Sequence, residues 1–118
     1  MVKLTDLHPA WIDHGDRNGL GVAFDCLIGH HSFQGRDVPC VIRNWILFAN
    51  PLDGGTPWPG HSRVLIVACF PDGCDTEVAG CGESRWQRTG TTFETLSMTP
   101  SVNAYTCGHL TLSNGVFA

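Results

Sequence analysis

The chain has 118 residues and a net charge of −4, with 42% hydrophobic and only 15% charged residues, which suits one globular domain over residues 1–118 and excludes a disordered chain. Lys3 is the only lysine and the arginines are scattered, so no basic stripe is present to displace counterions from phosphates, which excludes a nucleic-acid partner. No apolar run approaches the roughly 20 residues that span a bilayer, so no membrane role is expected.

Residues 1–18 read as irregular. Proline after His8 disfavours helix at that residue, and "WIDHGDRNG" is rich in turn formers. The first stretch, "MVKLTDLHPAWIDHG", lacks the continuous apolar segment and small-residue cleavage site of a signal peptide. "LGVAFDCLI" predicts a strand from its β-branched and aromatic content, and "GHHSFQGRDVP" predicts a loop. "CVIRNWILFAN" carries the strongest strand signal, near-continuous in apolar residues as for a strand covered on both faces. "PLDGGTPWPG", with three prolines and three glycines, ends it.

"RVLIVACF" predicts a third strand, and "PDGCDTEVAGCGES" a turn-rich excursion opened by Pro-Asp-Gly. "RWQRTGTTFETLSMTP" is open between a short helical turn over 92–98 and an alternating strand. "SVNAYTCGHLTLSNGVFA" closes with two short strands about Asn114-Gly115, a favoured hairpin turn. No internal repeat, linker or helix of normal length is visible. The expected fold is mostly β: a small, loop-rich, single-domain sheet structure, sandwich- or barrel-like.

Six cysteines without a secretory signal point to a reducing compartment, where cysteine beside histidine means metal or burial more often than a disulfide. A tetrahedral zinc site takes four Cys or His ligands, paired on short turns. Cys26 with His30 or His31 forms one such pair in "CLIGHH", and Cys107 with His109 forms another in "CGH". Asp25 or Asn103 would then accept a hydrogen bond from a ligand imidazole. The plainer reading makes Cys26 and Cys107 buried thiols, with His30 and His31 in a solvated loop. Cys69, Cys74 and Cys81, with His61 upstream, form a weaker cluster that also reads as strand core and a loop pair.

Catalytic signals are sparse. Cys107 and His109, at i and i+2, share a strand face without being held in a nucleophile–base geometry, and no third orienting group is evident. A zinc hydrolase needs a carboxylate base, for which Glu94 or Asp53 is available, yet no motif places either. "LDGG" has no Gly-Lys-Ser/Thr after it to make a phosphate loop, and the "HGD" at His14 has no partner. Trp11, Trp45 and Trp86 read as core and loop anchors. Trp58, stiffened by Pro57 and Pro59, is the tryptophan most open to exposure and the candidate interface anchor, with packing back on the domain an equal alternative.

"FANPLDGG", "WQRTGTTFETLSMTPSV", the Cys107-x-His109 pair and Asn114-Gly115 together resemble a group of small phage- and prophage-encoded zinc-binding proteins of unknown function. That group shares an early Phe-x-Cys motif, matched by Phe24 and Cys26, and a terminal histidine-containing hairpin. The likeness covers residues 22–28, 47–55 and 85–116. It implies a compact β domain with a zinc-ribbon-like metal clamp and Zn2+ ligands at Cys26, Cys107 and His109. Where the group has a histidine before its "FANP" strand, this chain has Arg43 and Asn44; His31, with His30 as the alternative, takes the fourth position, or the site has only three protein ligands or has been lost.

The resemblance implies no activity. The resulting expectation is a non-enzymatic phage accessory protein that binds another protein, in the host cytoplasm or the virion. It would act as a host-defence inhibitor, such as an anti-CRISPR type, or as a minor virion component. Two rival readings are a zinc-dependent hydrolase with three protein ligands and a water, and a disulfide-stabilised surface protein without metal. The sequence does not fix the oligomeric state.

Overall fold

Short strands dominate the computed structural model of the chain. It describes residues 2–25, 27, 30–33, 35–39, 43–59, 85–103 and 109–118, with only the backbone at 30–33, 38, 39, 43 and 103. The strands are β1 (Val2–Lys3), β2 (Ala10–His14), β3 (Arg17–Asp25), β4 (His30–Phe33), β5 (Arg36–Pro39) and β6 (Arg43–Leu47) in the first half. The second half adds β7 (Gln87–Thr89), β8 (Ser97–Thr99), β9 (Val102–Asn103), β10 (His109–Leu110), β11 (Leu112–Ser113) and β12 (Val116–Phe117). One 3-10 turn, Leu4–Leu7, follows β1. No α-helix occurs among the described residues, and none of their helices is long and apolar enough to cross a membrane.

The largest sheet has the order β2-β3-β6, antiparallel throughout. Alternation on β3 sends Val22 and Phe24 into the main core, where they meet Ile46, Phe48 and Met98. Ala23, on the opposite face, joins a smaller cluster with Ile12, Leu20 and Leu47. Leu20 breaks the alternation because β3 bulges. One residue of β2 opposes three of β3 between the pairs Ile12–Gly21 and His14–Arg17, which re-aims the side chains there. Asp13 Oδ1 accepts the Gly19 N–H at 2.8 Å, and Gly19 takes a left-handed φ of 66° within the bulge.

Beyond β6 the chain runs parallel to the start of β7. The Trp86 N–H donates to the Leu47 carbonyl at 3.0 Å, and the Ala49 N–H donates to the Trp86 carbonyl at 2.8 Å. Asn50 completes the seam with its side chain. Its Oδ1 accepts the Arg88 N–H and its Nδ2 donates to the Arg88 carbonyl, both at 2.9 Å. The carboxamide thus does what the next peptide group of a strand would do.

β7 and β8 form a hairpin. The Asn114 N–H reaches Ser97 Oγ and the Gly115 N–H reaches the Leu96 carbonyl, each at 2.8 Å, which docks the last hairpin beside β8. Asn114 and Gly115 both have positive φ, 48° and 75°, as the turn between β11 and β12 requires. β12 lies between β11 and β1, so the two ends of the described chain pair, Val2 opposite Phe117. Phe24 and Phe117 meet with ring centroids 5.1 Å apart and tie this small sheet to β3.

The mostly β expectation holds, and the details differ in instructive ways. Residues 1–18 are not irregular: they supply β1, the 3-10 turn and β2. Here tertiary pairing with β3 outweighs turn-rich local composition. The 3-10 turn stops at Leu7, and His8 before Pro9 has φ 48°, in keeping with the barrier to right-handed helix before proline. The expected loop at 29–39 holds the β4–β5 hairpin, with Gly35 at φ 75° beside its turn. Residues 87–99 form neither the helical turn nor the continuous strand but two three-residue strands around a turn. The expected strand at 63–70 and the excursion after it lie outside the described residues.

Asn50→Ala removes two hydrogen bonds and leaves the Arg88 N–H and carbonyl without them. It is expected to cost about 2 kcal/mol of stability, read as a lower urea midpoint at unchanged slope. An unchanged midpoint would show that the seam does not depend on that carboxamide.

Candidate functional site

The zinc expectation falls largely outside what the structure describes. Cys26 and Cys107, and likewise Cys69, Cys74, Cys81 and His61, are not among the described residues. His30 and His31 are described as backbone on β4, opposite Pro39 and Val38. Among the described residues, no three His, Cys, Asp or Glu side chains stand close enough to hold a metal ion.

His109 is described, and its surroundings are specific. It opens β10, exposed to solvent, with Asn103 as its cross-strand partner. Ser101 Oγ lies 2.8 Å from His109 Nε2. The contact follows from register. With Leu110 opposite Val102 and His109 opposite Asn103, Ser101 is the diagonal neighbour of His109 on the same face. Val102, on the other face, is fully buried. The second ring nitrogen, Nδ1, has no partner among the described residues.

At the end of β3, Asp25 Oδ2 lies 2.7 Å from Nδ1 of His8. Sequence reasoning named Asp25 as an acceptor for an imidazole but did not find His8. Nothing in local spacing links the two; packing of the 3-10 turn against β3 does. Next to them Asn44 is fully buried. Its Nδ2 donates to the Asp25 carbonyl at 3.4 Å, while its Oδ1 has no hydrogen-bond partner. A buried acceptor left without a donor is uncommon.

Asp53, one of two carboxylates considered as a base, is fully engaged. Arg17 Nε donates to Oδ2 at 2.9 Å, Arg17 Nη2 donates to Oδ1 at 3.1 Å, and the Gly55 N–H also donates to Oδ1. Arg17 Nη2 reaches the Thr56 carbonyl as well, at 2.7 Å, so one guanidinium pins the whole "LDGG" loop. The Arg17 hydrogen bonds, helped by the Gly55 N–H, lower the Asp53 carboxyl to about 2. A carboxylate so weakly basic is a poor proton acceptor near neutral pH. Glu94 is exposed beside a cavity of about 260 Å³ that Lys3, Thr5 and Asn114 also line.

The tryptophans are not arranged as expected. Trp58 is half-buried, folded back on the cluster of Ile12, Leu20, Ala23 and Leu47, with its ring 4.4 Å from that of His14. Its carbonyl accepts Arg85 Nη2 at 2.6 Å. Among the described residues, Trp45 is the large apolar side chain left open, 41% exposed. Its cross-strand partner is Ala23, which puts it on the sheet face of the smaller cluster. The apolar run on β6 hid this in the sequence. Alternation with the buried Asn44 and Ile46 was the signal that pointed Trp45 the other way.

No protein-family model matches the chain, and no curated protein or solved structure does so either.

Asp53→Asn is expected to lower thermal stability at neutral pH. Because the folded carboxyl titrates below its ordinary 3.8, the contribution is complete above that value and is lost as pH falls through about 2. Melting curves of both chains between pH 7 and 2 should therefore converge at the acid end. A constant gap would mean that ionisation of Asp53 is not what stabilises the loop.

Proposed function

We propose that the chain is a non-catalytic phage accessory protein, a small zinc-stabilised β domain that works by binding another protein. The observation that carries the binding role is Trp45, an indole 41% exposed on the sheet face that also carries Ala23 and Leu47. Rigid aromatic side chains of this kind dominate the energetics of protein interfaces. The partner is a host-defence protein, which the chain would inhibit in the manner of an anti-CRISPR type, or a component of the virion. The sites of action are correspondingly the host cytoplasm or the virion.

The zinc-ribbon-like clamp is proposed from Cys26, His31 (or His30), Cys107 and His109. Small domains commonly depend on such staples. The orphaned Oδ1 of buried Asn44, whose Nδ2 bonds the carbonyl of Asp25, would suit the free N–H of a ligand imidazole. Bound zinc would contribute folding free energy directly. The non-catalytic reading is supported by Asp53, which Arg17 holds as a weak base.

Elemental analysis of the purified chain is expected to show one zinc per molecule. Chelation, or Cys107→Ala, is expected to lower the melting temperature sharply, and an unchanged melt would rule out a structural metal. Trp45→Ala is expected to fold normally yet lose roughly 30-fold in partner affinity, the ~2 kcal/mol of an interface anchor. Equal capture of the same host or virion protein by both chains would remove Trp45 from the interface.

A further inference from the structure

We infer that Asn114 is a site of spontaneous modification, deamidation to aspartate or isoaspartate, and that the fold shields Asn18 from the same reaction. The sequence has two Asn-Gly pairs, Asn18-Gly19 and Asn114-Gly115. This dipeptide cyclises readily because glycine puts no side chain in the way. The glycine nitrogen, having given its proton to solvent, attacks the asparagine Cγ. The side-chain nitrogen leaves as ammonia, taking up a proton in turn. Water then opens the succinimide at either carbonyl, which gives aspartate or isoaspartate. Both asparagines are exposed to solvent, so what differs is how each glycine nitrogen is held.

At the first pair, two carboxylates grip the backbone. The Asn18 N–H donates to Asp53, and the Gly19 N–H donates to Asp13 Oδ1 at 2.8 Å. Such charge-assisted bonds are roughly twice as strong as neutral ones, and a negative charge beside the nitrogen opposes loss of its proton. The pair also lies on β3, nine residues long and central in its sheet. At the second pair the acceptors are neutral, Ser97 Oγ for the Asn114 N–H and the Leu96 carbonyl for the Gly115 N–H. The strands that flank it, β11 and β12, have two residues each. So short a pairing opens locally more readily than a long central strand, and opening frees the Gly115 nitrogen.

The product would disturb the hairpin. Isoaspartate adds a methylene to the backbone of a turn whose flanks pair Ser113 with Val116 and Leu112 with Phe117. Gly115 has no room to absorb it: a Cβ there would lie 2.6 Å from the Phe93 carbonyl oxygen and 2.8 Å from that of Glu94.

The test incubates the full chain at mildly alkaline pH and follows both asparagines by peptide mapping. In the folded chain, Asn114 is expected to be lost about tenfold faster than Asn18, reflecting the easier local opening. In urea the two rates should become comparable. Asp13→Ala is expected to raise the rate at Asn18 alone, with Asn114 as the internal gauge of folding. Equal loss at both sites in the folded chain, or faster loss at Asn18, overturns the inference. So does a tenfold ratio that persists in urea, because local sequence rather than the fold would then set it. If Asp13→Ala speeds both sites the variant has unfolded, and the ratio in the unsubstituted chain decides.

Discussion

One carboxamide extends the seam along which the two halves of this chain meet. Asn50 lies just past β6, and Arg88 lies on β7; between them the Phe48–Trp86 bridge is the only other parallel contact of the described strands. By accepting from the Arg88 N–H and donating to its carbonyl, Asn50 extends that bridge as if the strand continued. Proline at 51 has no N–H and could not have made the donor half of such a pair through its backbone. A side chain that imitates a peptide group lets the strand turn away at Pro51 while its neighbour stays satisfied.

The rest follows in sequence. The seam fixes β7, β7 fixes β8, and β8 receives the last hairpin through Ser97 and Leu96. That hairpin presents Phe117 to Phe24 and closes the main core. Arg88 itself is held in the seam by the Gly90 and Pro51 carbonyls and lies over the Phe48 ring. On the other side, Arg17 does for the 53–56 loop what Asn50 does for β7: it replaces a regular ladder with side-chain donors to a carboxylate and a carbonyl. Both devices suit a chain with many glycines and prolines and, among the described residues, few long strands.

Features set by neighbouring residues were legible in the sequence. The Asn114-Gly115 turn needs positive φ at both positions, and those two residues supply it at little steric cost. The halt at Pro51 and the strand before it were equally local. Features that depend on register were not. β2 exists because β3 pairs with it, and His8 meets Asp25 only once the 3-10 turn packs there. Ser101 meets His109 only when β9 and β10 align with Val102 opposite Leu110. Which tryptophan stands open was not legible for a related reason: rigidity from flanking prolines says that Trp58 is stiff, not which way it faces. The ligand set Cys26, His31, Cys107 and His109 was read from residue type and likeness, and the described geometry bears on His109 alone.

The pairing of β1 with β12 has a topological consequence. Val2 and Phe117 face each other across neighbouring strands, which lie roughly 5 Å apart. A polypeptide entering at one and leaving at the other would do so side by side. The domain can therefore sit within a loop of a host protein without prying it open, and a short graft joining the two would alter the covalent order of its strands while leaving every packed face where it is.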